Sequence, residues 1–252
     1  LLGPYAGIVA GGLLPPQIEA LDDLVGDREV DAVLVSIGAN DVQFSKLVER
    51  CFIRVACDLG GPGSAAALFD KLLPKLPGRY DQLGAALDGL SIARDRVYLA
   101  EYFDPTGDDA GRPCDGGILN DHPAAKVGFE ITTDEAAWAA NVMLTGLNAE
   151  VASATSRNGW EFVGGITSQF LTHGYCATDH WVVRLLESRA NQGDINGTLH
   201  PNSLGHDVYR DRLAARLSSN LYAGGNLQAP RRPEQRLEVQ GKLASDPSFA
   251  DI

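Results

Sequence analysis

From Asp31 to Gly38 the chain reads Asp-Ala-Val-Leu-Val-Ser-Ile-Gly, an apolar run that stops at Ala-Asn-Asp. A short run rich in Val, Leu and Ile and bounded by turn formers predicts a parallel strand over 31–37, buried on both faces. Further strands are predicted over 96–102 and 160–164, and helix-like stretches over 16–25, 41–50, 65–90, 132–157 and 203–220. Strands alternating with helices argue for an α/β fold around a central parallel sheet. Thr132-Thr133-Asp134-Glu135 has the spacing of a capping box at the start of the long fourth helix. The stretch 103–131, rich in Gly, Asp and Pro, predicts a long loop, and loops of that length in compact domains are often binding loops or lids. Trp138, Trp160 and Trp181 read as packing residues.

Ligand sites of parallel sheets lie at the carboxyl ends of the strands. Asn40 stands at such an end, with a side-chain amide able to donate to a developing oxyanion. Asp41 follows as a plausible N-cap of the next helix. An ordinary strand-to-helix turn would use the same residue types for backbone reasons alone. A second block, Thr198-Leu199-His200-Pro201-Asn202-Ser203-Leu204-Gly205-His206, lies just before the last helical stretch. Pro201 restricts His200 to extended geometry, a suitable perch for a general base. No Gly-x-Ser-x-Gly elbow occurs, and Gly61-Pro62-Gly63-Ser64-Ala65 imitates it poorly. Ser36 lies inside the first strand, where its side chain is expected to be buried or to face a helix, and Ser203 follows His200 too closely to meet its imidazole. No nucleophile is assigned within residues 1–252.

Together the two blocks resemble the SGNH, or GDSL-type, esterase and lipase family, in which a Gly-x-Asn-Asp block supplies an oxyanion donor and a late His block the base. Gly38-Ala39-Asn40-Asp41 fits the first block in full. The chain is similar to the secreted actinobacterial lipase branch through Val42-Gln43-Phe44 followed by Cys51, through Tyr102-Phe103-Asp104-Pro105, and through Phe170-Leu171-Thr172-His173-Gly174-Tyr175-Cys176. The resemblance implies a three-layer α/β/α flavodoxin-like fold and ester hydrolysis through an acyl-enzyme. It makes His200 and Asn40 catalytic, with Gly38 and Asp41 completing the motif, and requires no metal or organic cofactor. The family's nucleophilic Ser belongs to a Gly-Asp-Ser block near the N-terminus, and its second oxyanion donor is a Gly somewhat later. Neither block is visible here, and Leu1-Leu2-Gly3-Pro4-Tyr5 resembles the segment that would follow the glycine block. The expectation is a hydrolase domain over 1–225 that lacks its N-terminal block, and a polar tail over 226–252. This fragment alone would then be inactive for lack of the Ser. Gly11 or Gly12 as the missing oxyanion glycine is a weaker alternative, since both read as loop residues before the first helix.

Many family members carry an Asp three residues before the His, where this chain has Gly197. Some relatives in the secreted branch orient the imidazole with a backbone carbonyl instead, and this sequence looks like such a dyad. Asp194 is the nearest upstream carboxylate and reaches the ring only if the Asn196-Gly197 turn folds back. Either acceptor would fix the tautomer and stabilise imidazolium.

Composition is consistent with this reading. With 252 residues and 44% apolar content the chain can bury a substantial core as one large domain. A net charge of −12 disfavours nucleic acid and anionic membranes as partners. No run of eighteen apolar residues suggests a transmembrane helix. Of the four cysteines, Cys51 and Cys57 close a short loop and form a natural pair, which leaves Cys114 with Cys176. Zinc would prefer Cys-x-x-Cys spacing, absent here. Disulfides imply an oxidising compartment, most simply export, against four buried thiols in a cytosolic protein. Asp104, Asp108 and Asp109 match no calcium loop and read as a solvated acidic loop. The expected protein is a secreted, monomeric hydrolase of lipid or small acyl esters. A carbohydrate acetylesterase of the same fold and a non-catalytic secreted binding module are the alternatives.

Overall fold

The computed structural model describes residues 5–6, 13–26, 28–53, 56–114, 118–119 and 131–222. The predicted tail 226–252 and the glycines at 11 and 12 lie outside the described residues. The chain divides into two compact units, Asp27–Leu213 on one side and Leu1–Gly26 with Ala214–Ile252 on the other. The smaller unit holds an antiparallel pair, β1 (Tyr5–Ala6) with β2 (Leu13–Leu14), and helix α1 (Gln17–Val25).

The larger unit is built on a three-stranded parallel sheet of β3 (Val33–Val35), β4 (Val97–Ala100) and β5 (Glu161–Val163), in the order β3-β4-β5. β4 is central and buried along its whole length, as a doubly covered strand requires. β3 departs from expectation. It spans only three residues, Leu34 is 52% exposed, and Ser36 just beyond it is exposed rather than buried. It is the edge strand of the described sheet, paired on one side alone.

The connection from β3 to β4 carries α2 (Phe44–Ile53), α3 (Ala65–Leu72), a 3-10 turn at Leu73–Lys75 and α4 (Leu76–Gly89). The single helical stretch expected over 65–90 is thus divided where Pro74 and Pro77 lack N–H groups. Ser64, the serine of the poor elbow match, is the buried N-cap of α3 and accepts from the Ala67 N–H.

Between β4 and β5, α5 (Thr133–Trp138) runs through a π-helical segment, Ala139–Leu144, into α6 (Thr145–Asn158). The capping box forms as predicted, with the Glu135 side chain accepting from the Thr132 backbone and the Thr132 hydroxyl accepting from the Glu135 N–H. Glu135 is itself buried, and its second oxygen accepts from the Cys57 N–H at 2.8 Å. The carboxylate therefore ties the start of α5 to the loop closed by Cys51–Cys57. Disulfides Cys51–Cys57 and Cys114–Cys176 both form.

Beyond β5 come α7 (Ile166–Phe170), α8 (Leu185–Gln192) and α9 (Ser203–Leu217), which ends in a short π-helical segment, Ser218–Tyr222. The pattern reading missed α7, which spans five residues, and α8, whose Leu-Leu-Glu-Ser-Arg-Ala-Asn-Gln has little periodic contrast. The three tryptophans pack as expected. Trp138 meets Phe69 edge-on, Trp160 is buried, and Trp181 stacks on His173 and meets Phe170 edge-on. Among the described residues no helix is long and apolar enough to cross a membrane.

Candidate active site

The chain leaves β3 through Gly38-Ala39-Asn40-Asp41, and two tyrosines fix this turn. The Tyr80 hydroxyl, from α4, donates to the Ile37 carbonyl at 2.7 Å, and the Ala39 N–H donates to the Tyr102 hydroxyl at 2.8 Å. Gly38 adopts φ +125°, and a Cβ there would overlap the Tyr80 hydroxyl. Only glycine meets both conditions. Gly38→Ala is expected to cost about 2–4 kcal/mol, from backbone strain of about 1–3 kcal/mol and overpacking of similar size, read by urea unfolding. An unchanged midpoint would contradict this packing.

Asp41 does not cap the following helix. The Val42 and Phe44 N–H groups bond to the Gly38 and Ala39 carbonyls, Gln43 takes φ +58°, and α2 starts only at Phe44. The carboxylate instead lies 3.9 Å from Arg79 at the surface. Asn40 is exposed, and its side-chain amide has no hydrogen-bond partner among the described residues. Both of its N–H donors are free for a ligand.

His200 sits on a loop held by a short backbone ladder. The Leu199 N–H donates to the Val183 carbonyl, the Val183 N–H to the His200 carbonyl, and the Asn202 N–H to the Trp181 carbonyl. Asn202 locks the far end, its Oδ1 accepting from the Leu204 and Gly205 N–H groups at the start of α9 and its Nδ2 donating to the His180 carbonyl. Leu199 is buried at φ +64°, an unusual conformation for a branched side chain and one that marks strain next to the imidazole.

His200 Nδ1 lies 3.3 Å from the Thr198 carbonyl oxygen. A carbonyl only accepts, so in this contact Nδ1 carries the proton and Nε2 keeps its lone pair. The contact is long and becomes a good hydrogen bond only on tightening. Asp194 is engaged elsewhere. Its carboxylate accepts from the Asn196 N–H, from Asn196 Nδ2 and from Gln192 Nε2. These donors, the Asn196 backbone first, hold its carboxyl below the ordinary Asp range. Gly197 offers no side chain, and its carbonyl accepts the His200 backbone N–H at 3.0 Å. Asp194→Ala is therefore expected to leave kcat within about threefold of the parent, since the carbonyl and not the carboxylate faces the ring. A drop of several orders of magnitude would transfer the orienting role to Asp194.

The two blocks meet at a cavity of about 130 Å³ whose lining includes both Ala39 and His200. Its walls are hydrocarbon from Phe44, Phe103, Pro105, Met143, Leu144, Leu147 and Leu199. The chain matches no protein-family model and no curated protein. Tyr102 and Thr106 complete the lining, and the Thr106 hydroxyl is committed to Asp104 at 2.7 Å. Among the described residues no serine lines the cavity. A smaller compartment of about 30 Å³ shares Phe44, Pro105, Met143 and Leu199 and is completed by Leu47, Ile118, Ile131 and Trp138, among others. The π-helical segment brings Ala139 and Met143 into both compartments, in keeping with the frequency of such segments at functional sites.

The loop expected to shape a pocket contributes Phe103, Pro105 and Thr106, although 115–117 and 120–130 lie outside the described residues. It is not a solvated acidic loop throughout. Asp104 is buried against Thr106, and Asp109 accepts from the Thr178 N–H and hydroxyl. Among the described residues no three His, Cys, Asp or Glu side chains converge as metal ligands.

Proposed function

We propose that this protein is a serine ester hydrolase of the SGNH, or GDSL, type, acting on lipid or other acyl esters through an acyl-enzyme. In its finer form the proposal includes a three-layer α/β/α flavodoxin-like arrangement around the parallel sheet. The observation that carries it is that His200 and Ala39, the neighbour of Asn40, line one apolar cavity although they are far apart in sequence. The cavity supplies the hydrocarbon environment an acyl chain needs, His200 on its lining is the proposed base, and Asn40, next in sequence to the lining residue Ala39, is the proposed amide donor. Two disulfides fit export to an oxidising compartment.

In the proposed reaction a serine hydroxyl attacks the ester carbonyl while His200 Nε2 takes its proton, then returns that proton to the leaving alcohol. The Asn40 amide donates to the oxyanion of each tetrahedral intermediate. Water then attacks the acyl-enzyme with His200 again as base. The nucleophile is proposed to be a Ser N-terminal to Leu1, because among the described residues no Ser lines the cavity and Thr106 is committed to Asp104. The apolar lining favours acyl esters over acetylated sugars. Hydrolysis of p-nitrophenyl octanoate by the natural protein, faster than release of acetate from acetylated xylan, is the expected result. The reverse order would favour the carbohydrate acetylesterase.

A further inference from the structure

The cavity presents few polar groups, and their commitments differ. Thr106 spends its hydroxyl proton on Asp104, and His200 directs Nδ1 at Thr198. Tyr102 is held more firmly than either. Asn148 Oδ1 accepts its N–H at 2.7 Å, Asn148 Nδ2 donates to its carbonyl at 3.0 Å, and Thr167 Oγ1 donates to the same carbonyl at 2.6 Å. Its hydroxyl accepts from the Ala39 N–H at 2.8 Å. A phenol has one donor beside its lone pairs, and no group among the described residues accepts the Tyr102 O–H. Burial, reinforced by nearby Asp41, pushes the phenol above its ordinary range, so the proton stays on the oxygen. A part-buried donor that lines an apolar cavity and has no acceptor is costly unless a ligand or water satisfies it.

We propose that the Tyr102 hydroxyl donates a hydrogen bond to the carbonyl oxygen of an acyl ligand seated in this cavity. Ala39 and Asn148 aim the phenol before the ligand arrives, so the bond forms without reordering the ring. The inference rests on the esterase reading only for naming the ligand an ester. The geometry asks for an apolar molecule bearing one carbonyl.

The test is equilibrium binding to the natural full-length protein of 2-octanone carrying carbon-13 at its carbonyl, a ketone that cannot be hydrolysed. Its shape-matched control is 2-methyl-1-octene, which has CH2 in place of the oxygen. Tyr102→Phe is expected to weaken ketone binding by about 3- to 10-fold, leave alkene binding unchanged, and abolish the downfield shift of the bound carbonyl. Because Phe also deprives the Ala39 N–H of its acceptor, 3,5-difluorotyrosine at position 102 is the second variant. It keeps that contact, donates more strongly, and is expected to tighten ketone binding and increase the carbonyl shift. Equal ketone binding by parent and Phe variant, a carbonyl shift that ignores both substitutions, or no ketone binding by the parent would each overturn the proposal. Ester hydrolysis by the same preparation judges the esterase reading separately. Tyr102-dependent ketone binding without hydrolysis would sustain the inference and remove that reading, and hydrolysis with Tyr102-independent binding would do the opposite.

Discussion

On the proposed reaction, Asn40→Ala is expected to turn over esters about 100- to 1,000-fold more slowly than the parent, the usual effect of losing one oxyanion donor. The loss should appear in kcat with little change in KM, because charge collects on the carbonyl oxygen only as the tetrahedral intermediate forms. Folding should be spared. Asn40 is exposed, its side chain bonds to nothing among the described residues, and the turn is fixed instead by Gly38, Tyr80 and Tyr102. Stopped-assay kinetics beside a thermal melt separate the two effects. Parent-like kcat, or a melt lowered by many degrees, would remove Asn40 from the oxyanion role.

Replacement of His200 by Ala is expected to have the larger effect, a fall in kcat of about 10,000-fold or more, since among the described residues lining the cavity no other group is set to take the proton of the proposed serine. His173 and His180 are occupied elsewhere. His173 stacks on Trp181 with Nδ1 at the Asp179 carbonyl, and His180 Nε2 pairs with Glu187 at 2.8 Å. The His200 ring is exposed, and its approach to the Thr198 carbonyl is long, so stability should hardly change. The ladder that positions the loop is backbone throughout and survives the substitution. Substantial residual turnover would mean that another base acts.

The sheet and the site differ in how far local sequence reached them. Three strand positions, the capping box at Thr132 and the Cys51–Cys57 pairing were legible because each depends on periodicity or spacing over a few residues, whereas Cys114 and Cys176, 62 residues apart, were paired only as the two cysteines left over. Asn40 and His200 were legible as candidates because a polar residue ending an apolar run and a His before Pro are local signals. Their shared cavity was not, since Phe44, Phe103, Met143 and Leu199 converge only through packing. The hydrogen bond from Ala39 to Tyr102 spans 63 residues, and Tyr102 entered the sequence reading only as part of a motif. The contact with Thr198 depends on Leu199 adopting a left-handed backbone, which nothing in a Leu side chain announces. The exposed face of β3 was misread for a related reason: composition marks a strand as apolar but does not say what covers it.

Fluorophosphonate labelling of the natural full-length protein, followed by peptide mapping, tests the central claim most directly. The account predicts one modified serine, N-terminal to Leu1, whose labelling is lost in His200→Ala. A folded protein that takes up no label, or a labelled residue whose reactivity is indifferent to His200, would contradict it.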